Sequence, residues 1–166
     1  YNWGDYIDPE ILSDFEKETG YTVIYETFDS NEAMITKVQQ ASTAYDLVIP
    51  SDYTIQMMVE KDLLLPLDYS KIKGMENIDS HFLNQGFDPN NKYSIPYFWG
   101  SVGILYNTKE YSEEEMSSWK NLWDKKYENE ILIYDGAREI IGLGLQANGY
   151  SLNTTDTKIL NDVTQN

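Results

Sequence analysis

"AYDLVIPSDY", residues 44–53, is the stretch on which the reading of this chain turns. The apolar run Leu47-Val48-Ile49 stops at Pro50, and Ser51-Asp52-Tyr53 follow with no ordinary loop between them. A short continuous apolar segment of this kind fits a strand buried on both faces of a parallel sheet. In an open parallel sheet, ligands sit beyond the carboxyl ends of the strands. Ser51 and Tyr53 are therefore candidate site residues. Ser51 and Asp52 fit equally well as caps of the helix that follows, because capping and ligand contact use the same residue types.

Working outward, residues 8–20 read as a helix. Asp8 is its N-cap, Pro9 sits where a missing N–H costs nothing, Ile11, Leu12 and Phe15 form an apolar stripe, and Gly20 ends it. "YTVIYETF" (21–28) is a β-rich strand. Ser30 caps a second helix with Ala33, Met34, Ile35 and Val38 at helical spacing, and a third helix runs from about Thr54 to Lys61. After a loop-rich region, residues 93–107 read as one long β stretch interrupted near Gly100. Residues 117–127 then read as a short helix, 130–136 as a strand, 137–149 as a helix stopped by Gly149, and 156–163 as the start of another. Strands alternating with helices indicate the α/β class. A second α/β unit is expected to begin near residue 103.

Composition narrows the function. The chain has 166 residues, the length of one large domain or two small ones, and 41% are hydrophobic, enough for a core. The formal net charge is −16, the wrong sign for a nucleic-acid-binding face. There is no cysteine, which excludes disulfides, thiolate metal sites and cysteine nucleophiles. No apolar run approaches a membrane span. The chain opens at Tyr1 with neither a methionine nor a basic signal region, so an internal start is expected, with any targeting segment removed.

His81 stands alone in "DSHF" and reads as a surface or capping residue, since metal and triad sites need several convergent groups. "GLG" (142–144) lies inside a helical pattern and is no phosphate loop. "EEE" (113–115) reads as a solvated helix start. Asp135 and Glu139 flank a strand-to-helix turn at an expected site edge. That pair suits cation binding, or the two carboxylates a glycosidase needs.

The aromatic content is high, with 14 Tyr, 5 Phe and 4 Trp. Trp3, Tyr6, Tyr53, Tyr97 and Trp99 fall near expected strand ends. They serve equally as core or as the walls of a site for a ligand with an apolar body and charged tips. A ring face attracts an ammonium by roughly 0.5–2 kcal/mol, and a carboxylate hydrogen bond to it adds about 1.5–3 kcal/mol. Two such ends with stacked methylenes approach the roughly 8 kcal/mol of micromolar binding.

"YNWGDYIDPEILSDFEKETGYTVIYETFDSNEAM", "YDLVIPSDY", "FDPNNKYSIPYFWGSVGILYN", "DGAREIIGLGL" and "GYSLNTTD" closely resemble the PotD-type spermidine/putrescine-binding proteins of ABC importers. The resemblance covers almost the whole chain. It implies a type II periplasmic-binding-protein fold, α/β with two lobes and mostly parallel central sheets. It also implies that the chain is an N-terminal fragment with the C-terminal half absent. Residues 1–101 would be most of lobe 1 and 102–166 the first part of lobe 2.

By the same resemblance the protein is a binding module and not an enzyme. Trp3, Tyr6, Ser51 and Tyr53 would wall a polyamine cleft, and Glu139 would meet an amine. Gly4 and Gly136 stand where relatives often carry a hydroxyl and an acid, and Asp135 takes the second role one position early. No cofactor or metal is implied. The partners are a polyamine and the membrane subunits of an ABC permease. The location is periplasmic or extracellular, at the membrane through the permease or a lipid anchor. The same fold also serves other small solutes, such as sugars or peptides. The fragment is expected to self-associate through exposed strand edges.

Overall fold

A computed structural model describes residues 1–40 and 45–165. The chain divides into two compact units, Tyr1–Trp99 and Gly100–Asn166.

In the first unit, β1 (Asn2–Trp3) pairs in parallel with β2 (Thr27–Phe28), Asn2 opposite Thr27 and Trp3 opposite Phe28. Between them runs α1 (Pro9–Thr19). The Asp8 side chain accepts from Glu10 N, proline opens the helix, and Gly20 closes it at φ 75°, a left-handed conformation that glycine adopts without strain. Helix α2 (Asn31–Gln40) follows β2 and α3 (Asp52–Glu60) follows Ser51. Ala33 N donates to Ser30 Oγ, so Ser30 caps α2 as its sequence position implies.

The core is Phe28, Met34, Ile35 and Met58, with Tyr1, Trp3, Val38, Val48, Leu63 and Leu64 packed around it. Helices α2 and α3 meet there. Helix α1 buries no residue, and its apolar stripe leaves Ile11 and Phe15 exposed.

Strand content is lower than the sequence pattern predicts. The expected strand 21–28 is paired only at Thr27–Phe28. Residues 46–50 form no assigned strand, and Leu47 is exposed rather than buried. Even so, the Tyr1 amino group donates to Leu47 O at 2.9 Å, and Ile49 N donates to Tyr1 O at 3.0 Å. One residue bonded to positions j−1 and j+1 of its neighbour is the parallel-ladder pattern. The segment thus lies beside β1, opposite β2, and the pairing does not continue because Trp3 N donates to Asn2 Oδ1 and Ser51 N donates to Asn31 Oδ1 instead.

The stretches 93–107 and 130–136 carry no strand. Their side chains have β-type composition, but a strand exists only when a neighbour takes its N–H and C=O groups. Residues 117–127 form two 3₁₀ turns, Trp119–Trp123 and Lys125–Tyr127, capped by Ser118 and Asp124. A 3₁₀ turn eclipses side chains at i and i+3, which limits such runs to a few residues.

The second unit is built on α4 (Ala137–Ala147) and α5 (Thr157–Thr164), with α4 against both α5 and the 119–123 turn. Asp156 caps α5 by accepting from Lys158 N and Ile159 N. Met116, Tyr127 and Leu145 are its buried apolar residues. "GLG" is helical, and its two glycines let α4 approach its neighbours closely: a Cβ on Gly144 would stand 2.6 Å from Val163 Cγ1.

Candidate functional site

Parallel pairing sends the ends of β1, β2 and the 47–49 segment toward one edge. Trp3 closes β1, Phe28 closes β2, and Ser51 follows Ile49 by two residues. The residues just beyond these ends are Gly4-Asp5-Tyr6, Asp29-Ser30-Asn31 and Ser51-Asp52-Tyr53. This edge is where an open sheet binds ligands.

The aromatic part of the edge is a chain of ring contacts. Trp3 packs on Phe28 at 4.5 Å between ring centroids and lies 6.3 Å from Tyr6. Tyr6 meets Phe98 edge-on at 5.3 Å, and Phe98 stacks on Tyr97 at 4.2 Å. Tyr97 OH donates to Tyr6 O, and Tyr25 OH donates to Trp3 O at 3.2 Å. Trp3 is half-buried while Tyr6, Tyr97 and Phe98 are exposed. One set of ring faces is thus held by neighbours and presented to solvent. Trp99 stacks instead on Phe82 at 5.4 Å.

The hydroxyl part is organised by a residue that the sequence pattern did not single out. Asn31 is 3% exposed. Its Nδ2 donates to Ser51 Oγ at 3.0 Å and to Tyr53 OH at 2.7 Å, and its Oδ1 accepts from Ser51 N at 3.0 Å. Ser51 stands at the N-cap position of α3 but makes no side-chain capping bond. Asp52 accepts from its neighbour Tyr53 N. The capping alternative therefore fails for the Ser51 side chain, which is turned to Asn31. The signal that would have found Asn31 is the rule that flagged Ser51: a polar residue just past a strand end.

Asp135 and Glu139 lie in the second unit at the start of α4, with Asp135 exposed and Glu139 half-buried. Glu139 is the third helical residue, and its carboxylate folds back over the N-cap position: a Cβ on Gly136 would fall 2.2 Å from Glu139 Oε2. The absent side chain at 136 leaves the space that Glu139 fills. A carboxylate there is favoured by the helix macrodipole.

A depression of about 680 Å³ in the second unit, lined by Trp123, Tyr127, Gly144 and Val163 among others, contains none of the six candidate residues. It follows the seam between α4, α5 and the 119–127 turns. Among the described residues no group of His, Cys, Asp and Glu is arranged to hold a metal ion.

The first unit also contains an internal example of the recognition chemistry at issue. The Lys37 ammonium lies 4.9 Å from the Tyr1 ring centroid and 2.9 Å from Glu26 Oε2, which also accepts from Tyr45 OH. The Lys37 hydrogen bond, then that of Tyr45, lowers the Glu26 pKa, and the same contacts raise that of Lys37. An ammonium in this chain thus stands near both an aromatic ring and a carboxylate.

Residues 10–165 match the family described as bacterial extracellular solute-binding proteins. The chain belongs to that family. Over 159 residues it is 43% identical to the spermidine/putrescine-binding periplasmic protein of Escherichia coli K12, covering 95% of this chain and 46% of the relative. It is 31% identical over 172 residues to the putrescine-binding periplasmic protein SpuD of Pseudomonas aeruginosa, covering 96% and 47%. Among solved structures, a putative spermidine/putrescine ABC transporter protein from Listeria monocytogenes superposes with a TM-score of 0.94 at 51% identity, covering 99% of this chain and 51% of that one. PotD from Streptococcus pneumoniae gives a TM-score of 0.77 at 57% identity. This solute-binding-family chain therefore has the fold of PotD-type periplasmic binding proteins, and it spans about half the length of the relatives it matches. Among the described residues no helix is long and apolar enough to cross a membrane.

Proposed function

We propose that the protein carrying this chain captures a linear polyamine, spermidine or putrescine, and delivers it to the membrane subunits of an ABC permease outside the cytoplasm. The observation that carries this reading is the strand-end edge of the first unit, which carries the rings of Trp3 and Tyr6 and the Asn31-held hydroxyls of Ser51 and Tyr53. Ring faces take the methylenes and ammonium groups of such a ligand, and hydroxyl oxygens accept from its N–H donors. Asp135 and Glu139 supply the carboxylates for the amines. The printed names of the relatives, spermidine/putrescine-binding and putrescine-binding proteins, support the same ligand class. The units Tyr1–Trp99 and Gly100–Asn166 are parts of the two lobes in this reading.

Calorimetric titration of the intact protein with spermidine and putrescine tests the reading. Replacing Tyr53→Ala together with Glu139→Gln removes a ring face and a charge-assisted hydrogen bond, and is expected to weaken binding by about ten- to hundredfold or more. Wild-type affinity in the double variant would remove these residues from the site. Binding of a neutral sugar with no dependence on ionic strength would replace the polyamine by another solute.

A further inference from the structure

We propose that Asn31 is a positioning residue of the polyamine site, acting through the hydroxyls of Ser51 and Tyr53. The inference rests on the polyamine reading above and adds a residue to it. The orientation of the Asn31 amide is dictated by its partners. Ser51 N–H can only donate, so the atom 3.0 Å from it must be the amide oxygen. The amide nitrogen is thereby aimed at Ser51 Oγ and Tyr53 OH, at 3.0 and 2.7 Å, and both hydroxyl oxygens accept from it. One buried side chain thus fixes a backbone N–H and two side-chain oxygens on a neighbouring helix start.

Two features indicate that the arrangement serves the ligand edge as well as the fold. Ser51 occupies a helix N-cap and forgoes its capping bond to meet Asn31. Ser51 and Tyr53 also remain half-buried, with surface left to contact another molecule. Side chains already fixed before binding lose less freedom when a ligand arrives.

The test is a calorimetric cycle with spermidine on the intact protein, each variant first shown to melt cooperatively. Asn31→Ala is expected to weaken binding about tenfold, the size of one net hydrogen bond. Asn31→Asp is expected to rescue binding to within about threefold of wild type, because a carboxylate accepts from Ser51 N–H and from both hydroxyls. In a Ser51→Ala, Tyr53→Phe background, removing Asn31 is expected to cost less than about threefold, since the groups it holds are gone. If Asn31→Ala does not melt cooperatively, Asn31→Ser, too short to reach either hydroxyl, takes its place.

Three results overturn the inference while leaving the polyamine reading intact. These are wild-type affinity in the truncated variant, an undiminished loss in the hydroxyl-free background, and a loss in Asn31→Asp equal to that in Asn31→Ala. A wild-type protein that binds neither spermidine nor putrescine overturns the polyamine reading and this inference with it.

Discussion

Glu115 closes a capping box with Ser112: its Oε2 accepts from Ser112 N and Ser112 Oγ at 2.9 Å, and Glu115 N donates to Ser112 Oγ at 3.3 Å. Its Oε1 accepts from Lys126 at 2.7 Å. "EEE" therefore holds a turn rather than starting a solvated helix. The Lys126 bond first, then those from Ser112, lower the Glu115 pKa from an ordinary 4.5 to about 2. A depressed folded-state pKa contributes stability that is complete above 4.5 and disappears as pH falls through about 2. Carboxyl carbon NMR is expected to place the Glu115 midpoint near the lower value. The gap in thermal midpoint between wild type and Glu115→Gln should close as pH falls across that window. A midpoint at the ordinary value would break the capping-box account. Among the candidate site residues, Ser51, Tyr53, Trp3 and Tyr6 were legible because a strand-end rule names them from sequence. Asn31 meets the same rule as a polar residue just past β2, but its hold on Ser51 is a bond across 20 residues that no local pattern encodes.

The two helices of the second unit approach closely where Gly144 faces Val163. Gly144→Ala would gain about 0.5–1 kcal/mol of helix propensity, but it puts a methyl 2.6 Å from Val163 Cγ1. Valine in a helix has essentially one χ1 rotamer and does not turn away cheaply. Overpacking costs about 1–3 kcal/mol, so the clash wins. Urea unfolding should show a net loss of about 1 kcal/mol, restored by adding Val163→Ala. A stabilised Gly144→Ala would mean that α5 moves freely on α4. The α-helices were legible to within about two residues because their signals, such as Asp8 and Pro9, Ser30 and Gly20, are local, whereas 117–127, read as a helix, forms 3₁₀ turns. The strands were legible as composition but not as pairing. Residues 93–107 and 130–136 have β-type side chains and no assigned partner, since a ladder is a relation between distant segments.

Unpaired apolar segments and a large negative charge oppose each other over the molecule. Leu105 is 99% exposed and Leu132 100%, both in stretches without helix or strand. Two independent compact domains of the lengths of these units would together expose roughly 10,000 Å², whereas the chain exposes 13004 Å². Exposed apolar segments with unpaired backbone favour pairing with a second copy. The net charge of −16 keeps copies apart over a Debye length of about 10 Å in 0.1 M salt, which shrinks to about 3 Å at 1 M. Apolar attraction does not weaken with that screening. Sedimentation velocity on residues 1–166 should therefore show mostly monomer in dilute buffer and a shift to dimers and larger species as sodium chloride is raised. Salt that dissolved the assemblies instead would assign them to charge pairing. A monomer at every salt and protein concentration would mean that these segments find their partners within the chain.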